Sequence, residues 1–226
     1  QFFAAASHDL RQPLHAMSLF AEALRQRSHD GEVIQLVNSI NASVDALEGL
    51  FSELLDITRI DSGGVEVRPA NFHAGAIFRK LRLHFEPTAF EKGLALRFRG
   101  DRHHGFADPL LVERILRNLV SNAIRHSVEH GNVVIEIAAN GTTASLEVVN
   151  EGQAIAPEHL DRVFDRFFRA DPGRSRDAGG SGLGLAIVRS IARVHQGSIA
   201  VRSGDGHTRF VLQLPMTPDR GQRGTT

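Results

Sequence analysis

The sequence predicts an α+β protein: a helical hairpin that forms a dimeric four-helix bundle, followed by an α/β sandwich domain. In residues 1–60 apolar side chains recur in steps of three and four, which is the spacing of long amphipathic helices. From Val65 the pattern changes to short alternating runs separated by amphipathic stretches, which is typical of strands mixed with helices. Turn-forming residues at 61–64 separate the two patterns. We therefore predict domains at 1–64 and 65–216 and a flexible tail at 217–226.

The first domain is predicted to consist of two helices, one ending near residue 27 and one running from 32 to about 60, joined by a turn at 28–31. Pro13 removes a backbone donor and should kink the first helix. Burying a large apolar side chain is worth roughly 1.5–3 kcal/mol, so we expect the hairpin to pair with a second copy. The alternative is that its apolar stripe packs on the chain's own second domain. In the second helix this stripe comprises Val33, Val37, Ile40, Val44, Leu47, Phe51 and Leu54, and it is widened by Leu36, Leu50 and Ile57.

The second domain is predicted to contain a mixed, mostly antiparallel sheet. Residues 101–105 are expected to form a loop. Helices are expected at 74–92, 109–126 and 184–195. A short strand is expected before the first of these helices, and further strands at 94–99, 133–138, 144–150, 198–202 and 209–214.

The composition excludes several classes of function. The chain has 26 basic and 26 acidic residues, and this balance argues against a surface for nucleic acid. It has no cysteine, which excludes disulfides and thiolate metal sites. No apolar run approaches the roughly 20 residues of a membrane span, so we predict a cytoplasmic chain. Because the sequence begins inside an apparent helix, we expect a fragment of a longer protein, whose upstream region would hold any sensor or inner-membrane anchor.

The sequence SHDLRQPL at residues 7–14 places a histidine beside a carboxylate within the first helix. His8 lies roughly 200° around the helix from Leu10, which belongs to the apolar stripe, so the imidazole should face solvent. The Asp9 carboxylate can hold one ring nitrogen protonated, which leaves the other as a neutral nucleophile. A solvent-facing histidine is by itself usually an ordinary surface residue, but Asp9 makes phosphorylation of this imidazole chemically plausible, and the motifs in the rest of the chain favour it.

Two further motifs indicate a phosphate site. Asn118 and Asn122, four residues apart, share one face of the predicted helix at 109–126. The sequence GGSGLGL at residues 179–185 directly precedes a helix, where backbone N–H groups and the helix N-terminus favour phosphate oxygens. It lacks the lysine of a Walker loop and the preceding strand of a Rossmann fingerprint. The combination of the two motifs, rather than either alone, indicates the site.

Four motifs resemble, in order and spacing, those of the transmitter core of a two-component sensor histidine kinase, over roughly residues 1–215. The resemblance implies a dimerisation and phosphoacceptor hairpin followed by an ATP-binding domain of the Bergerat type, shared with gyrase-class and chaperone ATPases. Residues 8–14 resemble the histidine box, residues 118–126 the asparagine box, residues 164–169 (FDRFFR) the phenylalanine box, and residues 180–184 (GSGLG) the second glycine box.

The resemblance also implies which residues bind Mg·ATP. Asn122 would ligate Mg²⁺, while Asn118 and the basic pair Arg125 and His126 would help to hold the phosphates. Residues 167–181 would form a mobile lid in which one of three arginines, Arg169, Arg174 or Arg176, would meet the γ-phosphate. The expected nucleotide-binding residues are Asn118, Asn122, Arg125, His126, Asn150, Gly152, Ile155, Gly180, Gly182, Leu183, Gly184 and Leu185.

By the same resemblance, the γ-phosphoryl group of Mg·ATP passes to His8, with Asp9 orienting and deprotonating the ring. The phosphoryl group then passes to an aspartate of a response-regulator receiver domain. Gln12 lies where the family often has a threonine or asparagine that positions water for dephosphorylating the regulator. The expected catalytic residues are therefore His8, Asp9 and Gln12, and the expected partners are a second copy of the chain and a receiver domain.

The first glycine box, NEGQAIAP at residues 150–157, departs from most of the family. Asn150 stands where an aspartate usually accepts a hydrogen bond from the adenine amino group, and Ala154 replaces the second glycine. A neutral acceptor in place of a charged one costs about 1 kcal/mol, so we expect weakened ATP binding. This stretch resembles heavy-metal-sensing kinases, in which asparagine is usual, but residues 8–126 resemble kinases of hybrid sensors. Metal sensing is therefore not inferred.

Two alternatives come from other classes of protein. One is a receiver-binding module or phosphatase with weak or no autokinase activity, because Asn150 and Ala154 impair ATP binding. The other is an ATPase of the gyrase or chaperone type, against which stands Asn118, where those ATPases place a catalytic glutamate. His103 and His104 are not predicted to bind metal, since adjacent histidines lack the spacing of shared ligands. Mg²⁺ carried by ATP is the only metal expected.

Overall fold

The computed structural model describes the backbone of residues 2–27, 30–140, 143–170 and 181–215, and their side chains except for residues 2–13, 27, 139 and 140. The predicted tail at 217–226 lies outside this range. The two predicted N-terminal helices are present as α1 (Phe2–Arg27), which continues through Pro13, and α2 (Gly31–Asp61). Asp30 caps α2 by accepting a hydrogen bond from the Glu32 N–H at 2.9 Å.

The rest of the described chain forms a second unit of three helices and seven strands. The predicted helices at 74–92, 109–126 and 184–195 agree with the observed ones to within one residue at each end. Within the described residues, no helix combines the length and the apolar character needed to cross a membrane. The elements are β1 (Ala70–His73), α3 (Ala74–Glu91), β2 (Ala95–Arg99), β3 (His104–Ala107), α4 (Pro109–His126), β4 (Asn132–Asn140), β5 (Thr143–Glu151), a 3₁₀ turn (Pro157–His159), α5 (Gly184–Val194), β6 (Ser198–Gly204) and β7 (His207–Pro215).

Five strands form one mixed sheet in the order β2-β4-β5-β7-β6. The β2 and β4 strands are parallel and the other neighbours are antiparallel, which confirms the predicted mixed, mostly antiparallel sheet. A parallel pair requires a crossover connection, and here the crossover contains α4. This connection carries α4 across the sheet, where it packs against β4, β5 and α5.

The prediction of a loop at 101–105 is wrong at its end, where β3 begins. This strand pairs antiparallel with β1, and His104 lies opposite His73. The two imidazole rings meet edge to face, with their centroids 4.7 Å apart. Four residues that include a glycine carry too little alternation to indicate a strand. The strand exists because the fold brings β1 beside it.

The two faces of the five-stranded sheet differ in polarity. Buried and partly exposed residues alternate along β5, as expected for a sheet covered on one face. Phe210 of β7 is fully buried in the core that the sheet shares with α3, α4 and α5. On the other face Arg99 pairs with Glu136 at 3.8 Å, and Arg209 pairs with Glu147. The core therefore lies between the helices and one face of the sheet.

The C-terminal part of α2 packs on this second unit. Ile57 and Ile60 are 1% and 2% exposed and belong to the same apolar core as the three helices. The alternative that the hairpin stripe packs on the chain's own second domain is therefore correct for this part of α2. Two ion pairs accompany the apolar contact: Asp56 with Arg114, and Asp61 with Arg166.

The remainder of the hairpin keeps a row of large apolar side chains exposed. Phe20 is 75% exposed and Leu36 is 64% exposed, although α1 and α2 pack on each other. An exposed apolar surface of this kind is typical of a protein interface. Its members are Met17, Leu19, Phe20, Leu24, Leu36, Ile40 and Leu47.

Candidate active site

Helix α4 orients the two predicted asparagines through its buried apolar face. The helix begins at Asp108, whose carboxylate accepts hydrogen bonds from the N–H groups of Leu110 and Leu111 at 3.0 and 3.3 Å. Because the apolar face is anchored in the core, the direction of the remaining surface is fixed. Asn118, Asn122 and Arg125 are spaced by four and three residues, so they form one half-buried polar strip. The buried face comprises Val112, Ile115, Leu116, Leu119, Val120, Ala123 and Ile124.

The polar strip meets the start of α5 at Asn118. The Asn118 amide nitrogen donates to the Arg114 carbonyl at 3.0 Å. Its oxygen lies 3.0 Å from the position that a Cβ on Gly184 would occupy. A side chain at residue 184 would therefore press on the Asn118 amide. The structure thus brings the predicted asparagine motif and the second glycine motif into contact.

The segment after β5 closes on the other end of α4. Gly152 forms an isolated β-bridge with Ser127, and its N–H donates to the Gly206 carbonyl at 2.9 Å. A Cβ on Gly152 would overlap the carbonyl oxygen of His126. Asn150 is 3% exposed, and its amide nitrogen lies 3.2 Å from the same Cβ position. Only glycine permits this close approach between the first glycine motif and the end of α4.

Replacing Gly152 with alanine is expected to destabilise the fold by about 2–3 kcal/mol, because backbone must move to relieve the overlap with the His126 carbonyl. Urea denaturation followed by circular dichroism measures the change. Gly49→Ala on α2 is the matched control: a Cβ there has nothing within 4 Å, so the variant should be as stable as the wild type or more stable. Equal stability of Gly152→Ala and the wild type would contradict the required approach.

The second glycine motif also contacts the predicted phenylalanine motif. Gly182 has φ +70°, and a Cβ there would lie 2.9 Å from the Phe167 backbone. The Phe167 N–H donates to the Gly182 carbonyl at 3.0 Å. Gly180, Arg174 and Arg176, which the sequence assigns to the nucleotide site and its lid, lie outside the described residues.

Three of the predicted nucleotide-binding residues anchor their segments in the core. Leu183 is fully buried, and Leu185 packs against the core at the start of α5. Ile155 packs against the same core, and its N–H donates to the Ser203 hydroxyl at 2.9 Å. These contacts hold both glycine motifs beside α4.

Lys92 closes the C-terminal end of α4. Its ammonium group donates to the carbonyls of Ile124 and Arg125 at 3.2 and 3.5 Å. The last carbonyls of a helix have no partner within the helix and carry its negative partial charge, so a cation there is stabilising. Lys92 thus supports the turn from which Arg125 and His126 project.

The basic groups at this end of α4 affect one another. Partial burial lowers the pKa of the Arg125 guanidinium; Glu53 opposes this shift and Arg169 adds to it. His126 is more than a third exposed, yet removal of water by the surrounding protein lowers its pKa, and the positive charges of Arg125 and Lys92 add to this effect. This shift favours the neutral form of His126, in which the ring can serve as an uncharged hydrogen-bond donor.

The chemistry of these side chains fits Mg·ATP. The half-buried amide of Asn122 supplies an oxygen, which is the donor type that Mg²⁺ prefers. In proteins Mg²⁺ is commonly held by one or two side chains together with phosphate oxygens and water, so one amide is sufficient. Gly182 lies just before α5 and Gly184 is the first residue of that helix, whose N-terminal N–H groups favour an anion.

The predicted catalytic residues His8, Asp9 and Gln12 all lie within α1, on one continuous helix. Their side chains are outside the described residues. Their assignment as catalytic residues stays a prediction from the sequence.

Sequence reasoning missed Glu53, which contacts the site from α2, in addition to Lys92, and gave no role to Ser181 within the second glycine motif. Ser181 donates a hydrogen bond to the Glu53 carboxylate and accepts one from the Leu183 N–H at 3.0 Å. Glu53 belongs to α2 and is 128 residues away from Ser181 in the chain. No local pattern in the sequence marks a contact over that separation.

Two family models match this architecture. Residues 1–63 match the His Kinase A (phospho-acceptor) domain. Residues 107–218 match the histidine kinase-, DNA gyrase B- and HSP90-like ATPase domain. Together the two matches cover most of the chain, in the order that the motifs predicted. The chain belongs to the sensor histidine kinases and carries their phosphoacceptor and ATPase-type domains.

Individual relatives agree with this assignment. The sensor histidine kinase CusS of Escherichia coli K12 is 35% identical over 215 residues, which are 95% of this chain and 45% of CusS. The sensor protein CzcS of Cupriavidus metallidurans is 34% identical over 218 residues, 96% of this chain and 46% of CzcS. The crystal structure of full-length ShkA in complex with AMPPNP matches with a TM-score of 0.82 at 25% identity, covering 96% of this chain and 46% of ShkA. The chain thus spans about half the length of the curated relatives it matches.

Proposed function

We propose that the chain is a Mg·ATP-dependent histidine autokinase that phosphorylates its own His8 and passes the phosphoryl group to an aspartate of a response-regulator receiver domain. The observation that carries the proposal is that α4 lies against both glycine motifs: its polar strip meets Gly184 at Asn118, and its last residue meets Gly152 at the His126 carbonyl. Three separate segments of the chain thereby supply oxygen ligands, cations and a helix N-terminus to one place. That is the combination that a nucleoside triphosphate with its metal requires.

Nucleotide binding is assigned as follows. Asn150, buried at the end of β5, accepts a hydrogen bond from the adenine amino group through its amide oxygen. Asn122 ligates Mg²⁺, while Asn118, Arg125 and His126 contact the phosphates. The complex of ShkA with AMPPNP, an ATP analogue, supports adenine nucleotide binding by a protein of this fold.

The proposed chemistry is an in-line transfer. A ring nitrogen of His8 attacks the γ-phosphorus opposite the departing oxygen of ADP, so a P–N bond forms as the P–O bond breaks. Asp9 orients the imidazole and takes the proton from its other nitrogen. The cations at the end of α4 and the Mg²⁺ of the substrate offset the charge on the phosphoryl oxygens. The phosphohistidine then transfers the group to a receiver aspartate, which docks near His8 and Gln12 on the hairpin.

Incubation with Mg²⁺ and γ-labelled ATP tests this function. We expect a labelled protein whose label is stable in alkali and lost in acid, because a P–N bond behaves in this way whereas a phosphoserine ester does not. The alternative, a receiver-binding or phosphatase module, is motivated by Asn150 and Ala154. A chain that binds a receiver domain but takes up no label would support that alternative and contradict the autokinase.

We further infer that the active form is a homodimer, in which the exposed row on α1 and α2 is buried against a second copy. Sedimentation equilibrium is expected to give twice the chain mass, and Leu36→Glu is expected to shift the protein to the monomer because it places a charge in the buried interface. Leu83→Glu serves as the control, since Leu83 is 84% exposed but lies on α3, away from the hairpin. A wild-type monomer at all concentrations would exclude the dimer.

A further inference from the structure

The C-terminal part of α2 directs three acidic side chains at the nucleotide-binding half. Glu53 accepts a hydrogen bond from Ser181, and the other two form the ion pairs of Asp56 with Arg114 and Asp61 with Arg166. The intervals of three and five residues keep all three on one side of the helix, beside the buried Ile57 and Ile60. The phosphoacceptor hairpin therefore presents a row of negative charge to the domain that would bind an anionic nucleotide.

Glu53 differs from the other two acids in what it contacts. Its partner Ser181 caps the glycine motif, because the same hydroxyl accepts the Leu183 N–H at 3.0 Å. The Glu53 carboxylate also acts on Arg125 of α4 and favours the charged guanidinium. Both groups belong to elements to which the proposed function assigns the phosphates. Asp56 instead pairs with Arg114, which precedes Asn118 by one helical turn.

A carboxylate in this place opposes a triphosphate in two ways. It occupies the Ser181 hydroxyl, which phosphate oxygens would otherwise use, and its own charge repels theirs. The half-buried position of Glu53 makes the repulsion stronger than it would be in open solvent. A purely structural role has the opposite consequence, because loss of the Ser181 contact would loosen the glycine motif and weaken nucleotide binding.

We propose that Glu53 sets the nucleotide affinity of this kinase, acting as an internal anion that holds Ser181 and that the triphosphate must displace. This inference rests on the proposed nucleotide site. It also couples the two domains: displacement of Glu53 removes one of the three polar contacts described above between α2 and the nucleotide-binding half, so bound nucleotide loosens the hairpin contact.

Isothermal titration calorimetry with AMPPNP and Mg²⁺ on the wild type, Glu53→Gln and Asp56→Asn tests the proposal. Glu53→Gln keeps the size and hydrogen-bonding capacity of the side chain but removes its charge, and is expected to bind AMPPNP about fivefold more tightly. Asp56→Asn removes an acid from the same face of α2, but this acid contacts α4 at Arg114. The variant should therefore change the Kd for AMPPNP less than twofold. Adenosine, which has no phosphate, should bind both variants as it binds the wild type.

The outcomes separate this proposal from the proposed function. Glu53→Gln that binds AMPPNP as the wild type does, or more weakly, would overturn the role of Glu53 while leaving nucleotide binding intact. If Asp56→Asn tightens AMPPNP binding as much as Glu53→Gln does, the role of Glu53 is also overturned, since the tighter binding would then come from a weakened contact between the domains. No AMPPNP binding by the wild type would contradict the proposed function itself. If circular dichroism shows that Glu53→Gln unfolds at a lower temperature than the wild type, Glu53→Asp is used instead. Its shorter side chain draws the charge back from Ser181, so Glu53→Asp should tighten AMPPNP binding to a smaller extent than is expected for Glu53→Gln.

Discussion

Replacing His8 with glutamine is expected to reduce incorporation of the γ-phosphoryl group by at least about 1000-fold, because the substitution removes the attacking nitrogen of the proposed reaction. Glutamine preserves hydrogen bonding and suits a helix, so α1 should remain folded. The measurement is the initial rate of label uptake from γ-labelled ATP. Binding of AMPPNP should stay unchanged, since the proposed nucleotide site lies in the other domain.

The matched control is His15→Gln. His15 lies on the same helix seven residues later and is exposed, so it shares the helix face and the chemistry of His8 but not the neighbouring aspartate. Its rate should equal that of the wild type. Alkali-stable labelling that survives in His8→Gln, or that disappears in His15→Gln, would show that His8 has been assigned the wrong role.

Replacing Asn122 with alanine is expected to lower the rate of autophosphorylation by about 100-fold, with the larger part of the loss in Mg·ATP binding. The amide oxygen of Asn122 is the proposed protein ligand of Mg²⁺, and alanine has no side-chain oxygen that could replace it. Titration of the reaction rate with Mg²⁺ should show a raised requirement for the metal. The buried face of α4 is untouched by the change, so the melting temperature should stay close to that of the wild type.

Asn71→Ala provides the comparison for this variant. Asn71 is an exposed asparagine on β1, in the same half of the chain, and its loss should affect neither the rate nor the metal dependence. An Asn122→Ala variant with the Mg²⁺ dependence of the wild type would rule out Asn122 as the metal ligand. It would leave the phosphate contacts of Asn118 and Arg125 to be tested separately.

Much of this architecture is predictable because it is encoded locally. The helix at Pro109–His126 has a buried apolar period, an aspartate cap and a proline at its first position, and each signal can be read within a few residues. The motifs around Asn118 and Gly184 could be recognised together from residue type and spacing, and the motif around Gly152 was assigned by its resemblance to the family. The contacts between these motifs form because the crossover between the parallel strands β2 and β4 places α4 beside both glycine motifs.

Other features depend on where distant segments meet, and the sequence does not indicate them. The start of β3 was predicted to be a loop, since this strand forms only by pairing with β1, which comes from an earlier part of the chain. The contact of Glu53 with Ser181 joins residues of different domains. The sequence also does not show which part of the hairpin stripe packs on the second domain and which part stays exposed. The support that Lys92 gives to the end of α4 likewise requires the turn after α3 to reach that helix.

Transfer of a phosphoryl group from Mg·ATP to His8 is the central step of the proposed function. The most direct test is tandem mass spectrometry at alkaline pH on protein that has reacted with Mg·ATP, since phosphohistidine survives under these conditions. The proposed function predicts one added phosphate, located on His8. Phosphate on a different residue, or conversion of ATP to ADP and free phosphate with no modified protein, would contradict it; the second result would instead favour an ATPase of the gyrase or chaperone type.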